Sequence, residues 1–132
     1  MKVIDGTTIK INRGDVLPLE LTIPLEYGTD ESGQTIVTSY YQFKVGDKID
    51  FGIYKKKRMN KEAMLLKTIV VDESTDKVNF TLTNDEMKIG GLINKPTEYW
   101  YEVELNDKQT IIGYDDDGPK ILMLYPEGSE VI

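Results

Sequence analysis

The sequence predicts an all-β fold: an immunoglobulin-like antiparallel β-sandwich with one short helix, filling residues 1–132 as a single domain. Three observations predict it. Apolar and polar residues alternate with a period of two in several segments, which places one face of each in a core. Clusters of Gly, Asp, Asn and Pro punctuate the chain between those segments. The single helical signal is "TNDEMKIGG", where Thr83 and Glu86 have capping-box spacing and Gly90-Gly91 end the turn.

The strands follow in order. "VLPLELTI" alternates Leu17, Leu19, Leu21 and Ile23 with Pro18, Glu20 and Thr22. Pro18 lacks a ladder donor, so this strand lies at an edge or begins there. "KIDFGIY" alternates through Ile49, Phe51 and Ile53, and "KVNFTLT" through Val78, Phe80 and Leu82. "TEYWYEVEL" does so through Tyr99, Tyr101, Val103 and Leu105. Shorter strands are expected at 8–11, 36–43, 65–71, 109–114 and 120–125, with turns at 13–15, 28–33, 45–47, 72–76, 106–107 and 115–119. Many short strands at regular spacing indicate a sandwich or barrel.

Composition narrows the chemistry. The 132 residues are 39% hydrophobic, enough for one core without disulfides or metals. The chain has neither Cys nor His, so Ser–His and Cys–His nucleophile systems and most transition-metal sites lack their usual residues. No Walker loop, nucleophile elbow or dinucleotide fingerprint occurs, and the reading is a non-enzyme without cofactor or metal. A formal net charge of -7 argues against nucleic acid as a partner, because phosphates are neutralised by Lys and Arg. There is no 18-residue apolar run and no signal-peptide pattern, so the expectation is a soluble chain without membrane contact. Its start at Met1 fits a complete gene product made in the cytoplasm.

Several motifs admit two readings. Arg13-Gly14-Asp15 matches a cell-adhesion tripeptide, but it sits between two alternating strands and reads as a turn, with Gly14 giving the permissive backbone. "YDDDGP" is the densest acidic cluster. Its contiguous acids lack the every-second-residue spacing of a calcium loop, so a solvated hairpin loop is expected. The stretch from Lys55 to Lys67 holds six of the sixteen basic residues, among them Lys56, Lys57, Arg58 and Lys61. It is either a solvated loop or a dock for an acidic partner, and its polarity suits head-to-tail packing. Trp100 falls opposite the core face of its strand, with Glu102 and Glu104. It is covered by a loop or second sheet, or it anchors an interface, or it forms a sugar-stacking platform. "KILMLYP" is apolar on both faces, so Leu122 and Leu124 lie either in a doubly covered strand or in an interface.

"INRGDVLPLELTI" followed by "YQFKVGDKIDFGIYKKK" resembles the opening of small phage and prophage proteins of low-GC Gram-positive bacteria, in which two Gly-Asp turns each precede an alternating strand. It is also similar to the N-terminal sandwich of siphophage baseplate upper proteins. "YWYEVELN", "QTIIGYD" and "GPK…LYPEG", in that order, resemble a C-terminal signature of clostridial phage virion proteins. The two resemblances together span most of the chain. They imply a structural part of the virion with no catalytic motif to carry over. Its partners would be major capsid or tail and neck proteins, with homo-oligomers possible, and its location the virion. The chain shows no receptor-binding extension before Ile132, which fits capsid decoration or a neck or tail accessory. A carbohydrate-binding module using Trp100 for host attachment is the competing expectation.

Overall fold

The computed structural model describes residues 2–55 and 63–128. It is all-β, with strands β1 (Val3–Asp5), β2 (Thr8–Asn12), β3 (Leu17–Leu21), β4 (Pro24–Thr29), β5 (Thr35–Tyr40), β6 (Lys48–Lys55), β7 (Ala63–Val70), β8 (Val78–Leu82), β9 (Thr97–Leu105), β10 (Gln109–Ile112) and β11 (Ile121–Tyr125). The main sheet runs β1-β2-β11-β9-β6-β7. β9 pairs along one edge with β6 from Tyr99 to Leu105. Its other edge is shared: β11 takes Thr97 to Trp100 and β10 takes Val103 to Leu105. β3–β8 and β4–β5 form separate two-stranded antiparallel sheets.

One pairing departs from the antiparallel expectation. β2 and β11 run parallel, with Ile9 opposite Leu122 and Ile11 opposite Leu124. The two strands come from opposite ends of the chain, so no hairpin dictates their direction. A period-two pattern encodes which face is buried and carries no information on strand polarity.

Alternation does place the core. The inner face of the main sheet is Ile9 and Ile11 from β2, Ile49, Phe51 and Ile53 from β6, Tyr99, Tyr101 and Val103 from β9, and Leu122 and Leu124 from β11. The β3–β8 ribbon lies over it with Leu17, Leu21, Val78, Phe80 and Leu82. Phe51 joins the two layers: its ring stacks on Tyr101 at 5.7 Å and meets Phe80 at 5.8 Å.

The expected helix is one turn instead. Its capping box forms, with the Thr83 N–H donating to Glu86 Oε1 at 2.9 Å and the Glu86 N–H donating to Thr83 Oγ1 at 3.2 Å. One α-type bond, from the Met87 N–H to the Thr83 carbonyl at 3.0 Å, and one tighter turn bond, from the Lys88 N–H to the Asp85 carbonyl at 3.2 Å, follow. Met87 and Ile89 are then drawn into the core, and Gly90 turns at φ 64°. A nucleated turn whose last and following apolar residues are committed to the core does not propagate.

The register gives the molecule two poles. β6 begins at Lys48 opposite Val70 and near Leu105, and ends at Lys55 opposite Tyr99. β3 ends, and β8 begins, at the first pole, where Leu21 pairs Val78. Thr75, beyond β7, bonds there to Phe43 through a two-way backbone bridge.

Candidate functional site

β4 and β5 leave the first pole as an arm. Pro24 has no N–H to extend the β3 ladder, and the chain turns outward. The arm closes at its base where the Tyr41 N–H donates to the Ile23 carbonyl at 2.8 Å. Its tip is held by one carboxylate oxygen. Asp30 Oδ1 accepts from the Ser32 N–H at 2.9 Å, the Ser32 hydroxyl at 2.7 Å and the Gln34 N–H at 2.9 Å. These bonds hold the Asp30 carboxyl below its ordinary range, the Ser32 hydroxyl acting most. Gly33 supplies the left-handed backbone of that turn, at φ 85°. No residue of 24–40 belongs to the core, and Leu25 at 57% and Tyr27 at 65% stand in solvent together with Ile36 and Tyr40.

A polar knot fixes the arm to the body. Asp47 is buried; it accepts from the Lys44 N–H at 2.9 Å, the Tyr41 hydroxyl at 2.8 Å and the Asn106 amide at 3.1 Å. The Lys44 N–H acts most to hold the Asp47 carboxyl below its ordinary range, with Asn106 next. The hydrogen bond to Asp47 raises the Tyr41 phenol in turn. Asn106 Oδ1 also accepts from the Lys48 N–H at 2.8 Å. Asn106 and Asp107 both adopt positive φ, 55° and 57°, the geometry of a type I′ hairpin turn that Asn and Asp tolerate. Asp107 bonds the Lys48 ammonium at 3.0 Å, which lowers Asp107 and raises Lys48.

The residues singled out from sequence scatter. Lys55 is exposed at the end of β6, on the pole opposite the arm. Lys56, Lys57, Arg58 and Lys61 lie outside the described residues. Trp100 lies on the outer face of β9, half-buried, with its indole N–H donating to Glu98 at 3.2 Å. Its ring meets Tyr114 at 5.8 Å and 49°, a tilted pair. Leu122 and Leu124 are 0% exposed and pack inside the domain. This corrects their placement on a partner surface: they share the inner face with Tyr99 and Ile9, and Ile121, Met123 and Tyr125 take the outer face. Alternation alone could not tell the two faces of an all-apolar strand apart.

Two motifs are settled by their contacts. Arg13 clamps the body: its Nε donates to the Ile89 carbonyl at 3.2 Å, its Nη2 to the carbonyls of Gly90 at 3.2 Å and Lys88 at 3.3 Å, and its Nη1 to Glu127. A guanidinium so occupied is not displayed for adhesion, and Gly14 at φ 86° makes the tripeptide a turn. Replacing Arg13 with alanine is expected to lower stability by about 2–3 kcal/mol by stranding these carbonyls. Denaturant unfolding checks this, and an unchanged midpoint would show that the clamp contributes nothing. In the acidic loop, Asp115 is held by the buried Lys120 at 2.8 Å and by the Asp117 N–H at 2.9 Å, and its carboxyl is lowered, by Lys120 first. Among the described residues no three acidic side chains gather as a metal site.

Sequence reading missed the arm. It marked 28–33 as a turn and 36–43 as a strand but assigned no strand to 24–29. The available signal was a β-branched run, "TIVTSY", after "PLEYGT", in which Leu25 and Tyr27 alternate with Glu26 but Pro24 and Gly28 read as breakers. Neither a known protein family, nor a curated protein, nor a solved structure matches the chain.

Proposed function

We propose that this chain is a non-enzymatic structural protein of a bacteriophage particle, an immunoglobulin-like β-sandwich bound to the virion in many copies as capsid decoration or as a neck or tail accessory. The observation that carries this reading is the arm. The chain spends a clamped base and a carboxylate-pinned tip on a hairpin that buries nothing in its own core. A two-stranded hairpin alone is marginal in water, so such an element is built for another protein surface.

The strand order supports the immunoglobulin-like part. β11-β9-β6-β7 follows the G-F-C-C′ order of a variable-type sheet, and β3–β8 follows the B–E pair of the facing sheet. In that correspondence the arm is the B–C connection and the β9–β10 turn belongs to the F–G connection. Variable domains place both at their binding end. β7 is an edge strand of eight residues, paired among the described residues only with β6 and exposing Leu66 and Val70, which also suits assembly. The basic residues that begin at Lys55 supply charge for an acidic particle surface.

Cryo-electron microscopy of particles made with and without this gene tests the reading. Density lost from capsid, neck or tail is expected. Identical maps would overturn it, and binding to host-surface glycans would be measured next.

A further inference from the structure

We propose that this chain assembles head to tail with copies of itself, the β4–β5 arm of one copy seating on the opposite pole of the next. The inference goes beyond virion attachment and holds for the purified chain alone.

The two surfaces are complementary. The arm carries negative charge only: residues 21–43 contain Glu26, Asp30 and Glu31 and no Lys or Arg. Asp30 is committed to the tip turn, so Glu26 and Glu31, both exposed, are the charges free to meet a partner. Between them stands Tyr27, with Leu25 beside it.

The opposite pole offers the converse. Leu92, 86% exposed, is the most exposed of the large apolar side chains there. It lies in the connection between Gly90, whose position abuts Tyr99 and Met64, and Thr97, where β9 begins beside the end of β6. Lys55 and Lys95 are exposed on the same pole. Two nearby acids are already engaged, Glu127 by Arg13 and Glu98 by the Trp100 indole, while Asp85 stands in solvent 3.9 Å from Lys88. An apolar knob with basic neighbours thus faces an apolar arm with acidic neighbours.

Geometry makes the contact intermolecular. The eight residues of β6 separate the poles by roughly 25 Å at the rise of an extended strand, whereas the six-residue strands of the arm, paired only with each other among the described residues, span about 20 Å. One copy's arm therefore does not reach its own acceptor. A contact between two different patches is heterologous, so it builds rings or open chains in which every copy uses both surfaces.

Analytical ultracentrifugation of the full chain at low ionic strength tests this. The wild-type protein is expected to associate with rising concentration, and salt should weaken it because the charges are exposed. E26K/E31K, which makes the arm basic toward the basic neighbours of Leu92, and K55E/K95E, which makes those neighbours acidic toward the acidic arm, should each associate about tenfold more weakly. An equimolar mixture of the two should recover association, since every arm then meets a pole of opposite charge. Leu92→Ser should weaken association without changing the thermal midpoint, which separates the apolar contact from any loss of fold. A wild-type chain that stays monomeric at all concentrations would overturn the proposal. So would variants that associate like wild type, or a mixture that recovers nothing. Particle attachment could still hold in each of those cases, so the two readings fail separately.

Discussion

Replacing Phe51 with alanine is expected to lower the unfolding free energy by about 3–5 kcal/mol. Phe51 is 2% exposed and is the ring through which the two layers meet. It touches Tyr101 within its own sheet and Phe80 on the β3–β8 ribbon. Truncation removes the transfer free energy of a phenyl group. It also opens a void that two stiff sheets cannot close. An apolar cavity of about 230 Å³ already reaches this point from the open side, lined by Ile4, Leu19, Phe80 and Tyr101 among others, and the substitution would enlarge it. Small domains are stable by only about 5–15 kcal/mol in total, so the loss would be a large fraction of the whole. Urea unfolding followed by circular dichroism measures it. A loss below about 1 kcal/mol would mean that the ribbon is not seated on the sheet as described.

Replacing Asp47 with alanine is expected to cost about 2–4 kcal/mol and to loosen the arm. The cost arises from what remains. The Tyr41 hydroxyl, the Lys44 N–H and the Asn106 amide each lose their acceptor at a site where Asp47 is largely excluded from water. A buried donor left without an acceptor costs more than an exposed one. Tyr41 also packs edge-on against Phe43 at 5.2 Å, so its release disturbs the base of the arm.

The same site predicts a pH dependence. The folded Asp47 carboxyl lies below its ordinary value because its hydrogen bonds favour the charged form. The unfolded chain therefore takes up this proton first as the solution is acidified. The stabilisation is complete above the ordinary carboxyl range, about pH 4, and is lost as pH falls through that range toward the lower folded value. Glu86, Asp107 and Asp115 are lowered too and contribute with the same sign. The difference between wild type and Asp47→Asn isolates Asp47: the variant should be less stable at pH 7 and lose less between pH 5 and 3. Parallel curves for the two proteins would rule out Asp47 as a titrating contributor.

Much of the body was legible because alternation is a direct imprint of burial. Leu17, Ile49, Phe51, Val78, Phe80, Tyr101 and Val103 were assigned to a core by period alone, and each is buried. The turns at Gly14, Gly46 and Gly118 were marked by residue type, and all three glycines adopt positive φ. The capping box at Thr83 was legible as a local bond pattern. Its failure to become a helix was not, because the burial of Met87 and Ile89 is decided by distant residues. β1 was too short, and too exposed, to leave a period.

The candidate surfaces divide along the same line. The basic run from Lys55 is a property of the chain itself, as is the acidity of residues 21–43. That Lys55 and the arm stand at opposite poles follows only from the register of β6, β7 and β9. The sequence by itself determined an all-β chain, which segments are strands with a buried face, and where charge concentrates. These are local properties, set by side-chain period, backbone permissiveness and composition. Only the tertiary structure decided that β2 runs parallel to β11, that Leu122 and Leu124 face inward, that Arg13 is a clamp, and that residues 24–40 stand clear of the body. Each of those depends on contacts between residues far apart in the chain, and a one-dimensional pattern carries no record of which distant surface will cover a given face.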